Sequence, residues 1–247
     1  MSFKVYIPAR YASTRLPGKP LAELAGKPIV QHVYERAAES GALEVVIATD
    51  DQRIADVAKG FGAQVAMTAP ELPSGSDRVA AAATARGEDA HSVIVNLQGD
   101  EPDMPATVIR QVADALIEQQ VEMSTVCEPL AVEQVTDPNV VKVVRDHQSH
   151  ALYFSRAPIP YDREHSGNLS ELDISSHRRH VGIYAYRLEF LHRFVSWQPT
   201  RLEQLEALEQ LRALEHGARI LVCDACEPCG AGIDTVSDLQ RAREARN

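Results

Sequence analysis

Residues 3–20 read FKVYIPARYASTRLPGKP, in which an apolar run with the character of a β-strand leads into a short loop with three cations, Arg10, Arg15 and Lys19. Three prolines limit the freedom of this loop. A guanidinium can bind two phosphate oxygens at once, and an ammonium adds a compact positive charge. The chain as a whole has 25 Lys and Arg against 35 Asp and Glu, so the loop stands against the overall charge. It predicts a phosphate-binding loop after a first strand; the alternative is a solvated basic loop.

Strand patterns and helical patterns alternate through the first half of the chain. The predicted strands are Val5–Ala9, Glu44–Thr49, Gln64–Thr68 and Ser92–Leu97. The first predicted helix has Pro28 as its first residue and ends at Gly41. Two more predicted helices cover Arg53–Gly60 and Ser76–Arg86. This alternation predicts an α/β fold with a doubly wound, mostly parallel sheet over residues 1 to about 120. Ligands bind at the carboxyl ends of such strands, so we expect the loops 8–20, 50–51, 70–78 and 98–103 on one rim.

The second half, about 121–217, changes to a strand-rich elaboration. Its predicted strands are Val140–Arg145, Leu152–Ser155 and Val181–Arg187. A single helix follows, with a capping box at Thr200 and Glu203, a stripe of leucines that we interpret as core, and an end at Gly217. Residues 218–247 return to the main sheet through a strand and a last helix capped by Thr235. The pattern predicts one domain over residues 1–247.

The overall charge argues against large anionic partners. The formal net charge is −10 and the sequence pI is about 5.4, which disfavours broad affinity for nucleic acid or for an anionic membrane surface. No apolar run reaches the roughly 18 to 20 residues of a membrane span, and the N-terminus lacks the zones of a signal peptide. We therefore expect a cytoplasmic protein with small-molecule partners.

Four cysteines fit a reducing compartment. Three of them, Cys223, Cys226 and Cys229, form a C-x-x-C-x-x-C run that could bind an iron–sulfur cluster or zinc, or hold a redox pair. A fourth ligand at motif spacing is missing, and Pro228 and Gly230 indicate a turn after a strand. We interpret the run as a chance arrangement.

Two aspartates are candidates for a metal site. Asp100 lies in QGDEP, directly after the apolar strand, and Asp234 follows a strand and a glycine-rich turn. Mg²⁺ prefers one or two carboxylates together with substrate phosphates and water. Taken alone, such an aspartate is more often a turn former or a helix cap. Beside a cationic phosphate loop, the pair predicts a magnesium–nucleotide site.

Other polar residues on the expected rim have two interpretations each. Asp50 and Asp51 end the second strand, and one of them is predicted to cap the next helix. Arg78 either reaches a bound nucleotide from the first turn of its helix or is a surface arginine. In isolation, the residues Arg156, His180 and Tyr184 indicate little.

Read together in order, six motifs point to one family: IPARYASTRLPGKPL at 7–21, ATDD at 48–51, QGDEP at 98–102, YFSR at 153–156, HVGIY at 180–184 and LEQLR at 208–212. The chain resembles the 3-deoxy-manno-octulosonate (Kdo) cytidylyltransferases over about residues 3–240. The resemblance implies a fold like that of nucleotide-diphospho-sugar transferases. It also implies transfer of CMP from CTP to the anomeric hydroxyl of Kdo, which releases diphosphate and supplies CMP-Kdo for lipopolysaccharide. A homodimer that uses Mg²⁺ is expected.

The resemblance also assigns roles to residues. The catalytic set is Arg10, Lys19, Asp100 and Asp234, of which Asp100 and Asp234 hold Mg²⁺. The nucleotide set is Arg10, Ser13, Arg15, Lys19, Arg78 and Gln98. The sugar set is Gln98, Arg156, His180, Gly182, Tyr184, Glu209 and Gln210, and Arg156 is expected to pair with the sugar carboxylate. Residues 1–120 are then the CTP-binding half of one nucleotidyltransferase domain, and residues 121–217 its sugar-binding and dimerisation elaboration.

Three alternatives stay open at this point. The related N-acylneuraminate cytidylyltransferases typically carry a glycine- and lysine-bearing version of the first loop, which this chain lacks. A non-catalytic nucleotide sensor would keep the cationic loop and need no paired aspartates. The acceptor could also be the 8-amino variant of Kdo.

Overall fold

The computed structural model describes residues 2–13, 15–164 and 173–246. The strands are β1 (Phe3–Ala9), β2 (Glu23–Leu24), β3 (Lys27–Pro28), β4 (Glu44–Thr49), β5 (Gln64–Met67), β6 (Val93–Leu97), β7 (Met123–Pro129), β8 (Lys142–Arg145), β9 (Ala151–Ser155), β10 (Arg178–Arg187) and β11 (Ile220–Asp224). The helices are α1 (Ile29–Glu39), α2 (Gln52–Gly60), α3 (Gly75–Ala85), α4 (Ala106–Glu118), α5 (Leu188–Ser196), α6 (Arg201–Glu206), α7 (Gln210–Glu215) and α8 (Val236–Glu244).

The main sheet has the strand order β11-β7-β10-β6-β1-β4-β5, and β8 joins it through β10 and carries β9. Strands β5, β4, β1 and β6 are parallel to one another, as the sequence predicts. Strand β10 is antiparallel to both β6 and β7, and it pairs Tyr184 with Asn96. The predicted α/β fold, with a mostly parallel sheet and a strand-rich second half, is confirmed. Insertion of β10 next to β6 brings residues 180–184 to the rim where β6 ends.

Two cores cover the two faces of the sheet because alternate residues of each central strand point to opposite sides. Val5 and Ile7 of β1 pack with α1, α2 and α4, whereas Tyr6 packs with α3 and α5 on the other face. The same division occurs along β4. Helices on both faces leave the ends of the strands free for loops, and the candidate site lies there.

The leucine-rich helix predicted between Thr200 and Gly217 is wrong as one element. It is divided into α6 and α7 at Ala207, which adopts a left-handed conformation with φ 51°. The break turns the carbonyl groups of Glu206 and Ala207 toward the Arg156 side chain, which donates hydrogen bonds to both. As a result Leu205, expected in the core, is 63% exposed.

The ends of two helices can be compared with the sequence predictions. Pro28 is the residue that precedes α1 rather than its first residue, whereas Gly41 ends that helix region with a positive φ of 77°. The cap of α8 by Thr235 is confirmed, with Asp238 completing the capping box. No helix in the described part of the chain is long and apolar enough to cross a membrane.

Candidate active site

A cavity of about 240 Å³ lies where β1 and β6 end. It is called the smaller cavity below. Its walls include all six residues of the predicted nucleotide set, Arg10, Ser13, Arg15, Lys19, Arg78 and Gln98, together with Asp100 and Asp234. The loops after the two strands approach closely here, because a Cβ atom at Gly99 would lie only 2.8 Å from the carbonyl oxygen of Pro8. A glycine at position 99 therefore allows the two loops to share one wall.

The cationic loop closes on itself through its main chain. The Tyr11 carbonyl accepts hydrogen bonds from the backbone N–H groups of Ser13 and Gly18, at 2.9 and 3.1 Å. Gly18 has a positive φ of 70°, which suits glycine, and a 3₁₀ turn at Lys19–Leu21 follows. The guanidinium of Arg53 stacks on the Tyr11 ring at 3.4 Å. These contacts direct Lys19 inward from a preformed loop.

Lys19 links the two predicted metal-binding aspartates. Its Nζ atom lies 2.5 Å from Oδ2 of Asp100 and 2.9 Å from Oδ1 of Asp234, and Arg15 Nη2 lies 3.0 Å from the same oxygen of Asp234. Burial alone would lower the pKa of Lys19, but the two carboxylates outweigh it and raise the pKa above its usual value. The ammonium is therefore charged, and both carboxylates converge on a single cation.

The donor chemistry of this pair fits Mg²⁺. Two carboxylates that already converge on one positive charge are hard oxygen donors of the kind that Mg²⁺ prefers. Within residues 2–13, 15–164 and 173–246, no group of three or more His, Cys, Asp or Glu side chains is arranged to hold a metal. A magnesium ion on Asp100 and Asp234 would thus take its other ligands from substrate phosphates and water.

Arg78 is almost fully buried rather than a surface arginine. Its guanidinium donates to Asp50 Oδ2 at 3.1 Å and also bonds Thr68. The other Asp50 oxygen is buried without a hydrogen-bond partner. Asp51 caps α2, with its side chain accepting from the backbone of Arg53 at 2.9 Å, so the prediction of a cap in this pair is confirmed. The contacts fix Arg78 at the cavity wall.

A second cavity of about 720 Å³, the larger cavity, adjoins the first. Four members of the predicted sugar set line it: His180, Gly182, Tyr184 and Gln210. Arg15 and Asp234 line both cavities. A molecule in the smaller cavity and one in the larger cavity would therefore meet at these two side chains.

His180 offers a neutral imidazole to this space. Burial, with a smaller contribution from Arg179, lowers its pKa to about 3. Its Nε2 lies 3.0 Å from the hydroxyl of Thr125, and its ring packs between Phe154 and Tyr184. The imidazole can donate or accept a hydrogen bond, but it supplies no positive charge at neutral pH.

Arg156 and Glu209 are not among the residues that line the larger cavity. Arg156 donates from Nε to the carbonyl of Glu206 at 2.7 Å and from Nη1 to the carbonyl of Pro138 at 2.8 Å. Glu209 faces a third cavity of about 590 Å³, beside Trp197. Both side chains are thus held by protein groups next to the site rather than aimed into it.

The sequence arguments missed two charged residues. Lys142 is fully buried, and its ammonium donates to the carbonyls of Asp137, Val140 and Arg156 at 2.8, 2.7 and 2.6 Å. Its signal was a lone lysine inside the apolar run VVKVV. Glu101 lines the larger cavity, and burial, reinforced by Asp100, raises its pKa to about 8. It stands beside Asp100 in QGDEP and was passed over.

All four cysteines are free, and no group of three or more His, Cys, Asp or Glu side chains among the described residues is arranged to hold a metal. Cys226 is exposed, whereas Cys223 and Cys229 are partly buried. Burial raises the pKa of Cys229 to about 12 and also raises that of Cys223. Burial thus disfavours the thiolate form of Cys223 and Cys229, and the interpretation of the run as a chance arrangement stays a prediction.

Known proteins are similar in sequence to this chain over nearly its whole length. The family model of the cytidylyltransferases matches residues 5–220. The chain is 55% identical to the 3-deoxy-manno-octulosonate cytidylyltransferase of Thioalkalivibrio sulfidiphilus, over 99% of this chain and 98% of that protein. It is 53% identical to the protein of the same name from Idiomarina loihiensis, with coverage of 99% and 98%.

Two solved structures of cytidylyltransferases have folds similar to that of this chain. A CMP:2-keto-3-deoxy-manno-octonic acid synthetase complexed with CTP superimposes with a TM-score of 0.90 at 37% identity, covering 100% of this chain and 98% of that one. A cytidylyltransferase from Leptospira borgpetersenii shares the fold, with a TM-score of 0.63 at 19% identity and coverage of 98% and 85%.

Proposed function

This chain belongs to the 3-deoxy-manno-octulosonate cytidylyltransferases of the cytidylyltransferase family, and from that premise we propose that it transfers CMP from CTP to the anomeric hydroxyl of Kdo. The reaction releases diphosphate and supplies CMP-Kdo for lipopolysaccharide biosynthesis. The observation that carries the proposal is the pair of adjoining cavities, one lined by the cationic loop and one by His180, which share Arg15 and Asp234.

The smaller cavity is assigned to CTP. In the proposed step the acceptor hydroxyl attacks the α-phosphorus in line with the departing diphosphate, so the protein supplies positioning and charge rather than a covalent intermediate. Arg10, Arg15 and Lys19 hold the triphosphate and offset the negative charge that grows on the leaving group. Asp100 and Asp234 would hold Mg²⁺, which when bound withdraws electron density from phosphate oxygens.

The larger cavity is assigned to Kdo. The neutral imidazole of His180 and the side chain of Gln210 can hydrogen-bond sugar hydroxyls, and the Tyr184 side chain borders them. Arg156 was expected to pair with the sugar carboxylate. It instead holds the cavity wall around Pro138 in place by a hydrogen bond to the Pro138 carbonyl. The acceptor hydroxyl would then reach the α-phosphate near Asp234.

We also propose that the protein acts in the cytoplasm and forms a homodimer. Both substrates are small soluble anions, and the chain has no apolar run long enough to span a membrane. The edge strand β9 leaves Leu152 exposed, and Leu205 is exposed on the nearby α6. These two leucines offer apolar surface to a second copy. Sedimentation equilibrium should therefore give about twice the chain mass.

One assay decides the acceptor. Diphosphate release from CTP should be measured side by side with Kdo, 8-amino-Kdo and N-acetylneuraminate. We expect kcat/KM for one of the two Kdo sugars to exceed that for N-acetylneuraminate by at least a thousandfold. Preference for N-acetylneuraminate would overturn the assignment.

A second experiment separates an enzyme from a nucleotide sensor. Asp100→Asn should leave the Kd for CTP within about tenfold, because the cationic loop is unchanged. It should abolish diphosphate release, because one of the two carboxylates that would hold Mg²⁺ beside the α-phosphate is lost. Turnover near the wild-type rate would contradict the role of Asp100.

A further inference from the structure

A chain of buried side chains connects Glu209, beside the larger cavity, to Gln98 in the smaller one. Glu209 Oε2 accepts a hydrogen bond from the Ser76 hydroxyl at 2.9 Å. Ser76 Oγ accepts from Asn96 Nδ2 at 3.4 Å, and Asn96 Oδ1 accepts from Gln98 Nε2 at 2.9 Å. Ser76 and Asn96 are 2% and 1% exposed, so the middle of this chain is shielded from water, whereas Glu209 and Gln98 at its ends are partly exposed. We call this set the Glu209–Gln98 relay.

The relay has one direction. The Ser76 hydroxyl donates to Glu209 Oε2, so its single hydrogen points to this carboxyl group. The lone pairs of Ser76 then face Asn96, which must present its amide N–H, and the Asn96 oxygen in turn requires the amide N–H of Gln98. The carboxyl group at the far end therefore favours this orientation of both amides, together with Tyr186, whose hydroxyl interacts with Ser76 and Asn96.

The other carboxyl oxygen of Glu209, Oε1, is not part of the relay. Ser74 Oγ lies 2.7 Å from Glu209 Oε1 but also 2.6 Å from Asp77 Oδ2, and one hydroxyl hydrogen serves only one of them. Burial raises the pKa of Glu209, whereas the two serine donors and Arg212 act against that rise. Ser76 is thus the contact through which Glu209 acts on the relay.

At the other end the Gln98 amide oxygen remains available. A Cβ atom at Gly75 would lie 3.3 Å from Gln98 Oε1, so this oxygen faces the Gly75 backbone on the wall of the smaller cavity. An amide oxygen there can only accept a hydrogen bond. The triphosphate of CTP offers no donor at neutral pH, which leaves the amino group of the base and the hydroxyls of the ribose.

We propose that Glu209 is a positioning residue that acts through Ser76 and Asn96 to present the amide oxygen of Gln98 to a hydrogen-bond donor on the nucleoside part of CTP. This inference rests on the proposed function, because it takes CTP as the occupant of the smaller cavity. It gives Glu209 a role toward the nucleotide, whereas the family resemblance placed it in the sugar pocket.

The test is a double-mutant cycle on steady-state kinetics. Glu209→Ala should lower kcat/KM for CTP roughly five- to tenfold, in the range of one hydrogen bond, with KM for Kdo changed less than twofold. In a Gln98→Ala background the same change should cost less than twofold, because the relay then has no endpoint. Glu209→Gln should restore most activity, since its amide oxygen can accept from Ser76 while its N–H groups face Ser74.

Two further variants make the result specific. Ser76→Ala breaks the relay without changing the Glu209 side chain, and its effect should also vanish in the Gln98→Ala background. Glu122→Ala is the matched control: this carboxylate pairs with Arg193 and contacts neither the relay nor Arg212. Its effect should be the same factor in both backgrounds.

The outcomes separate the two levels of inference. Equal factors for Glu209→Ala in both backgrounds, or a Glu209→Gln variant as impaired as Glu209→Ala, would overturn the relay. A wild-type protein that releases no diphosphate from CTP and Kdo would instead overturn the proposed function. Parallel assays with UTP and 2′-deoxy-CTP identify the hydrogen-bond donor of the nucleoside. Glu209→Ala should have no effect with the analogue that lacks this donor.

Discussion

The ammonium nitrogen of Lys19 lies 2.5 Å from the Oδ2 atom of Asp100. This contact joins the loop after β1 to the loop after β6, and Asp234 completes the cluster from the far end of the chain. The same two carboxylates are the proposed magnesium ligands. Without substrate, Lys19 therefore competes with a metal ion for them.

Lys19→Met should separate the role of Lys19 in catalysis from its competition with a metal ion for the two carboxylates. We expect turnover to fall by a factor of roughly 100 to 1,000, because one cation that stabilises the leaving diphosphate is lost. We also expect the free protein to bind Mn²⁺ about tenfold more tightly, since the carboxylates lose their competitor. Isothermal titration calorimetry and a diphosphate-release assay measure the two effects. Lys27→Met, which removes an exposed ion pair to Glu35, is the control and should change neither value.

The sequence predicted this cluster because each of its parts lies in a loop that follows a strand. Cations in the first loop and aspartates after two strands need only a parallel sheet to bring them to one rim. The roles of Arg156 and Glu209 could not be predicted in this way. Their contacts depend on the left-handed residue Ala207, which divides a pattern of leucines that reads as one continuous helix.

Arg156→Lys tests how the wall of the larger cavity is held. The arginine bonds carbonyls on two segments at 2.7 and 2.8 Å, and a single ammonium cannot reproduce that fork. We expect KM for Kdo to rise about tenfold and KM for CTP to change less than twofold. An exposed arginine with a local partner, Arg36, provides the control as Arg36→Lys. A larger effect on KM for CTP would assign Arg156 to the nucleotide side.

The thiols should differ sharply in reactivity. Only the thiolate reacts rapidly with a disulfide reagent, and burial raises the pKa of both Cys127 and Cys229 to about 12. We expect one fast thiol at pH 7.5, the exposed Cys226, and four after unfolding in guanidinium. Cys226→Ser should abolish the fast phase. Two or three fast thiols, or iron or zinc near one equivalent after anaerobic purification, would contradict this picture.

Lys142→Met should destabilise the fold. The variant removes a buried donor that serves three carbonyls, and we expect a loss of about 3 kcal/mol in the free energy of unfolding. Urea titration followed by circular dichroism measures it. Lys27→Met should lose less than about 1 kcal/mol, as is usual for an exposed pair. Similar losses in the two variants would mean that the buried ammonium contributes no more than a surface one.

His180 should make stability depend on pH in a defined window. Its pKa is about 3 in the folded state against an ordinary value of 6.5, so between these values the unfolded chain binds a proton that the folded chain does not. Unfolding therefore becomes easier as the pH falls below about 6.5, by about 1.4 kcal/mol per pH unit from this residue alone. Above pH 6.5 the imidazole is neutral in both states and has no such effect.

The comparison of wild type with His180→Gln isolates this contribution. Between pH 8 and pH 5, we expect wild type to lose about 2 kcal/mol more unfolding free energy than the variant, as measured by urea titration at each pH. The difference should be constant between pH 7.5 and 8.5, which serves as the internal control. Equal losses down to pH 5 would show that the imidazole becomes protonated within the fold, and so could act as a cation toward the sugar.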